Sequence, residues 1–318
     1  MSAASSEQGK PKGPTLSDRL QYAALRGVIG ALDTMSWERA GRLGERIGAL
    51  GYSPLGIRRH VVVRQIAAAF PGLSADEVEQ IARASYAHLG RTTIETALLP
   101  RFSREQILDL FARVENWSAV ERAMEAKKGL ILVTGHLGNW ELGGAYLAAR
   151  GVGLDVVARG MANPLFDGYL TRTRQRIGMS VVHDADAVRR TPRSLRAGRA
   201  VAFVSDQGVL GLASTFVPFF GMPAKTPRGP AVFALRLGVP VVFGCALRQP
   251  DGRYVLSFER VTVQDTGNRE EDVDAVVAEY TKTLERWVRR APEQYFWHHR
   301  RWRRQPPGTP DELRDPSR

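Results

Sequence analysis

Four consecutive apolar residues, Leu130-Ile131-Leu132-Val133, run into the segment Gly135-His136-Leu137-Gly138-Asn139 and then into Trp140-Glu141-Leu142-Gly143-Gly144-Ala145-Tyr146-Leu147-Ala148-Ala149. A short unbroken apolar run reads as a strand covered on both faces. The two segments after it read as a turn and a helix. The pattern recurs, with strands expected at 129–134, 154–158, 180–183, 199–205, 240–247 and 254–261, and helical patterns between most of them. That order predicts an α/β fold with a mainly parallel central sheet flanked by helices.

Helical patterns also precede the first strand, at 16–50, at 57–98 as two helices broken by Pro71-Gly72, at 103–111 and at 117–127. Ser74-Ala75-Asp76-Glu77 has the form of a capping box. The loop 218–226 is apolar and turn-rich and is expected to line a greasy pocket. A late amphipathic helix is expected at 270–290. Residues 1–15 read as a disordered tail and 305–318 as a loose one, leaving 16–304 as a single domain.

The formal net charge of +12 on 318 residues favours anionic partners: nucleic acid, acidic lipid or a phosphorylated substrate. The segment 16–50 is apolar in part but holds Arg19, Arg26, Arg39 and Arg42. Its apolar run, 22–32, is too short to span a bilayer and long enough to lie in a membrane interface beside those arginines or to pack on the domain. The N-terminus lacks the apolar core of a secretory signal. The lone cysteine, Cys245, excludes an intrachain disulfide framework.

His136 sits where a strand ends, the place where open α/β sheets carry their chemistry. Glu141 is five residues further along. Mid-helix, five steps of about 100° leave two side chains roughly 140° apart. With His136 in a glycine-bearing turn before the helix, the imidazole can fold back toward Glu141. A carboxylate on one ring nitrogen leaves the other as a base, and helix-start amides suit an oxyanion.

Arg159 and Asp206 end two further strands, and Asp206 is placed to orient His136 or a substrate hydroxyl. The segment 286–304 interleaves arginines with Trp287, Tyr295, Phe296, Trp297 and Trp302, which suits nucleic acid or a membrane interface. His298-His299 have no partner at metal-ligand spacing, so no metal site is expected. No Gly-x-Ser-x-Gly, Walker, Gly-x-Gly-x-x-Gly or His-Glu-x-x-His pattern occurs.

Five blocks in fixed order resemble the late acyltransferases of lipid A biosynthesis, the lauroyl/myristoyl transferase group, which includes relatives acting on phosphatidylinositol mannosides. They are Thr134-Gly135-His136-Leu137-Gly138-Asn139-Trp140-Glu141, Ala158-Arg159 with Asn163-Pro164, Ser205-Asp206-Gln207-Gly208, Phe219-Phe220-Gly221-Met222-Pro223-Ala224, and the run from Pro292 to Trp302. The resemblance implies a glycerolipid-acyltransferase-like fold. It implies an acyl thioester donor, carried by acyl carrier protein or CoA as co-substrate, and a lipid acceptor at the cytoplasmic face of the inner membrane. No cofactor and no metal are implied.

By position, His136 would be the base and Glu141 its partner. Arg159, Asn163, Asp206, Gln207 and Asn139 would be substrate-binding or oxyanion residues, together with backbone amides of the 137–140 turn. Where many members of the group have a membrane helix, this chain has a segment interrupted by Arg26, so peripheral attachment is expected. The acceptor stays open between a lipid A precursor, another glycolipid and a lysophospholipid. A thioester or lipid hydrolase and a basic nucleic-acid-binding protein are the competing readings, and the second leaves the His136 block unexplained.

Overall fold

The computed structural model describes residues 13–125, 127–208 and 212–317. Residues 1–12 of the expected N-terminal tail lie outside this set; Thr15 caps the first helix and exchanges hydrogen bonds with Asp18.

The N-terminal elements are α1 (Leu16–Leu32), α2 (Trp37–Tyr52), α3 (Arg59–Ala69) and α4 (Ala75–Leu98). The expected break at Pro71-Gly72 and the Ser74–Glu77 capping box are both present. Then come α5 (Arg104–Asp109), β1 (Phe111–Glu115), α6 (Trp117–Glu125), β2 (Leu130–Thr134), α7 (Trp140–Ala149), β3 (Leu154–Ala158), α8 (Pro164–Arg176), β4 (Met179–His183), α9 (Ala187–Arg196) and β5 (Ala200–Val204). A hairpin of β6 (Ser214–Phe219) and β7 (Met222–Pro227) precedes α10 (Gly229–Leu237), β8 (Val241–Arg248), β9 (Tyr254–Val261) and α11 (Arg269–Arg290).

Seven strands form one sheet in the order β1-β9-β8-β2-β5-β3-β4, and every neighbouring pair is parallel except β8–β9. Successive side chains on a strand point to opposite faces, and β2 uses this fully. Ile131 and Val133 join the core under α10 and α11, while Leu130 and Leu132 join the core under α6 and α7. Two covered faces therefore account for the unbroken apolar run. Burying each such side chain contributes about 1.5–3 kcal/mol.

Three expectations are corrected. β1, of which only Phe111 falls in an expected helix while 112–115 carry no assignment, is an edge strand held by β9 on one side only. Its five residues mix exposed and buried positions and carry no periodic signal of their own. The segment 218–226 lies in the β6–β7 hairpin: Phe219, Met222 and Ala224 fill the core, while Lys225 lines a small cationic cavity in place of a greasy one. The C-terminal stretch is not loose: Arg300 pairs with Asp315 at 2.5 Å, and Asp315 and Ser317 are buried. Among the described residues no helix is long and apolar enough to cross a membrane.

Candidate active site

β2 and β5 pair in register from Leu130↔Ala200 to Thr134↔Val204, and β3 lies on the other side of β5 up to Val157↔Phe203. Three adjacent strands therefore end together, delivering His136, Asp206 and Arg159 to one edge of the sheet. This is the carboxyl edge, where the chain turns from strand to helix.

The turn after β2 is fixed by its backbone. Gly138 has φ +61°, and a Cβ there would lie 2.0 Å from the Ala246 carbonyl oxygen, so only glycine fits. The amides of Leu137, Gly138 and Asn139 donate to Gly135, Gln294 and Ala246 at 2.8, 2.9 and 2.9 Å. These amides are spent on holding the turn, which removes them from the oxyanion role expected of the 137–140 stretch. The first amides of α7, those of Trp140 and Glu141, have no acceptor among the described residues. The Phe296 amide donates to the His136 carbonyl at 2.9 Å.

The imidazole is bound by Asp206. His136 Nδ1 lies 2.7 Å from Asp206 Oδ1, and the His136 amide donates to Asp206 Oδ2 at 2.9 Å. Asp206 is buried, and burial alone would raise its carboxyl pKa; the charge and hydrogen bonds of His136 outweigh burial and hold it down at about 2. Burial likewise works to lower the His136 pKa, and Asp206 overcomes it, so the imidazole is raised above its ordinary value. The Gln207 carboxamide lies 3.2 Å from the same ring nitrogen. The His136 side chain keeps 23% exposure. Trp140 packs edge-on to the ring at 4.8 Å, and Phe296 lies at 5.8 Å.

Glu141, expected to hold the imidazole, does not. α7 begins only at Trp140, so Glu141 points from its first turn toward α8, where Arg174 binds it through two nitrogens at 2.5 and 3.1 Å. Its charge still adds to the raising of the His136 pKa, after that of Asp206. Two further candidates are corrected. Asn139 caps α7 through Leu142 N and donates to Glu95 at 3.1 Å, wholly buried. Asn163 caps α8 through Leu165 N and ties it to α1 through the Asp18 carbonyl. Both side chains are spent on architecture. Arg159 is exposed and without an ion pair or hydrogen bond among the described residues, so it remains available to a ligand.

Beneath the site lies a buried polar network. Glu95 accepts from Arg91 at 2.7 Å, from Asn139 and from the Tyr254 hydroxyl, and Arg91 also reaches Glu45 and Glu38. It links α2 and α4 to the cap of α7. No spacing signal in the sequence marks it.

The 286–304 segment is not the aromatic–basic surface that nucleic acid would need. Trp297 and Trp302 are 1% and 0% exposed, and their indole nitrogens donate to the Pro292 and Phe219 carbonyls. Arg301 is buried behind Asp206, donating to the Lys225 carbonyl and the Thr226 hydroxyl. Sequence reading misses Arg174, which is one arginine among many on α8, and places Arg301 on the surface.

Residues 11–304 match the family model described as bacterial lipid A biosynthesis acyltransferase. The chain is 28% identical over 269 residues to the lipid A biosynthesis palmitoleoyltransferase of Escherichia coli K12, covering 84% of this chain and 85% of that one. It is 26% identical to the lipid A biosynthesis lauroyltransferase of the same organism, over 89% of this chain and 92% of that one. It is 24% identical to the phosphatidylinositol mannoside acyltransferase of Mycolicibacterium smegmatis, over 72% and 74% of the two chains.

Proposed function

The chain belongs to the bacterial lipid A biosynthesis acyltransferase family, and we propose that it moves a fatty acyl group from an acyl thioester to a hydroxyl of a membrane lipid, a lipid A precursor first among acceptors. One observation carries the mechanism: a half-buried imidazole whose Nδ1 is held by Asp206 at 2.7 Å. Nδ1–H donates to the carboxylate, which leaves Nε2 as the free base.

Nε2 takes the proton of the acceptor hydroxyl as its oxygen attacks the thioester carbonyl. The tetrahedral oxyanion is met by the unspent amides of Trp140 and Glu141 and by Arg159. As the carbon–sulfur bond breaks, the imidazolium returns the proton to the departing thiolate. Base assistance of this kind gives roughly 10²–10⁴-fold. Glu141, clamped by Arg174, adds negative charge near the imidazolium and holds α7 to α8.

Access to the acceptor follows from α1. Leu16 and Leu20, 74% and 64% exposed, project from it with Val28, while Ile29 and Leu32 anchor it inward. Tyr22 packs on Phe166 and Tyr169 of α8. An apolar outer face flanked by Arg19 and Arg26 fits the interface of an anionic bilayer, and α8 carries that surface to Glu141. We place the protein peripherally on the cytoplasmic face of the inner membrane. The exposed arginines of α9, Arg189, Arg193 and Arg196, suit an acidic acyl carrier protein as donor over CoA.

Mass spectrometry of membrane lipids from cells with and without the protein tests this reading. A lipid short of one acyl chain in its absence is the expected result. An unchanged lipid profile, with no thioester-dependent acylation by the purified protein, overturns it.

A further inference from the structure

Gly208, in the turn after β5, and the C-terminal segment border a cavity of about 60 Å³, and two of its lining residues, His299 and Arg301, lie within electrostatic reach of Asp206. Five cationic side chains line it: Lys225, Arg300, Arg301, Arg303 and Arg304. Of these, Arg300 is neutralised by Asp315. Lys225, Arg303 and Arg304 make no ion pair among the described residues.

Arg301 is the informative member. It is 4% exposed, and its two side-chain hydrogen bonds, both 2.7 Å, go to neutral oxygens, the Lys225 carbonyl and the Thr226 hydroxyl. Its Nε is buried with no partner, and so is Nη1 of Arg304. Buried charged donors are seldom left unmade, because each forfeits its bonds to water. The nearest carboxylate, Asp206, is already bonded to both the ring and the amide of His136. The cavity is therefore lined by an excess of cationic side chains, and two of them, Arg301 and Arg304, each keep a buried nitrogen without a partner. Guanidinium forks of this kind match the oxygens of a phosphoryl group.

We propose that this cavity seats the phosphate of a phosphorylated substrate whose reacting group lies at His136. The inference rests on the acyl-transfer reading and adds a recognition element to it. A phosphate on the acceptor's headgroup and one on the arm of the thioester donor offer the same chemistry. The position of Gly208, where a Cβ would lie 2.8 Å from the Lys225 carbonyl oxygen, sets one wall at close approach.

The test is steady-state transfer by the full chain in detergent, with Lys225→Met and Arg304→Gln compared with wild type after thermal melts confirm folding. The expected result is a rise of about 10- to 100-fold in KM for one substrate, the loss associated with one charge-assisted hydrogen bond, with kcat nearly unchanged. Inorganic phosphate should inhibit wild type competitively against that substrate, and the variants less. A rise in acceptor KM that vanishes with a dephosphorylated acceptor assigns the phosphate to the acceptor; a rise in donor KM assigns it to the donor. Unchanged KM values for both substrates in both variants overturn the proposal, as does weaker retention on anionic vesicles with both KM values unchanged. Absence of any transfer by wild type would instead count against the acyltransferase reading itself.

Discussion

His136 and Asp206 meet across two adjacent parallel strands, the imidazole Nδ1 2.7 Å from one carboxylate oxygen and the histidine's own amide 2.9 Å from the other. A side chain held at both its ring and its backbone has one orientation. Asp206 is thus both the orienting group and the electrostatic partner of the imidazole.

Replacing Asp206 and Glu141 separates the two carboxylates. Asp206→Asn should keep the fold and lower kcat by roughly 10²–10⁴-fold, because the tautomer is no longer enforced. Glu141→Gln breaks the largely buried pair with Arg174 and should cost stability, on the order of 3 kcal/mol, with a smaller loss in kcat. Kinetics and thermal melts on both variants read this directly. Wild-type turnover by folded Asp206→Asn would remove Asp206 from the mechanism.

The pH profile follows from the same pair. A base must be neutral, and the His136 pKa is raised above 6.5. The acidic limb of kcat/KM should therefore lie above 6.5 and be carried below it in Asp206→Asn, where burial dominates. Stability obeys the opposite signs. The His136 contribution is complete below 6.5 and fades as pH rises through the raised value, while that of Asp206 is present above 3.8 and fades as pH falls toward about 2. A profile unmoved by the substitution would show that another group sets the limb.

Gly138→Ala should disable the protein far more than an ordinary glycine change. The new Cβ meets the Ala246 oxygen at 2.0 Å in a backbone conformation of φ +61°. Relief requires moving the turn that carries His136. A stability loss on the order of 3 kcal/mol or more is expected, together with loss of turnover. Differential scanning calorimetry and an activity assay check both.

Placing charge on the outer face of α1 tests membrane attachment. Leu20→Glu with Val28→Glu alters exposed positions and leaves Ile29 and Leu32 in place. Retention on anionic vesicles should fall about tenfold or more, with the melting temperature held. Equal retention by the double variant would place the contact elsewhere.

The sheet is legible in the sequence because a strand covered on both faces must be apolar throughout, and Leu130 to Val133 is. The position of His136 follows from that strand's end. The partner of His136 is not legible from spacing, because Glu141 and the imidazole are separated by a turn whose course depends on Ala246 and Gln294. Asp206 stands out as a strand-end carboxylate, but its adjacency depends on β5 lying next to β2, a matter of strand order. The β6–β7 hairpin escapes sequence reading because its turn is Phe220-Gly221, with Phe220 at φ 52°, where asparagine or aspartate would have signalled it. The aromatic–arginine segment looks like a surface by composition. Only packing shows that Trp302 and Arg301 are inside.

The carbonyl of His136 is bonded to the amide of Phe296, and the amide of Gly138 to the carbonyl of Gln294. The loop that bears His136 is therefore stitched shut by the segment that follows α11. A chain whose whole sheet has formed but whose 294–296 segment has not docked still has an unassembled centre. The docked 294–296 segment, which supplies neither member of the His136–Asp206 pair, is therefore a condition for the orientation of both.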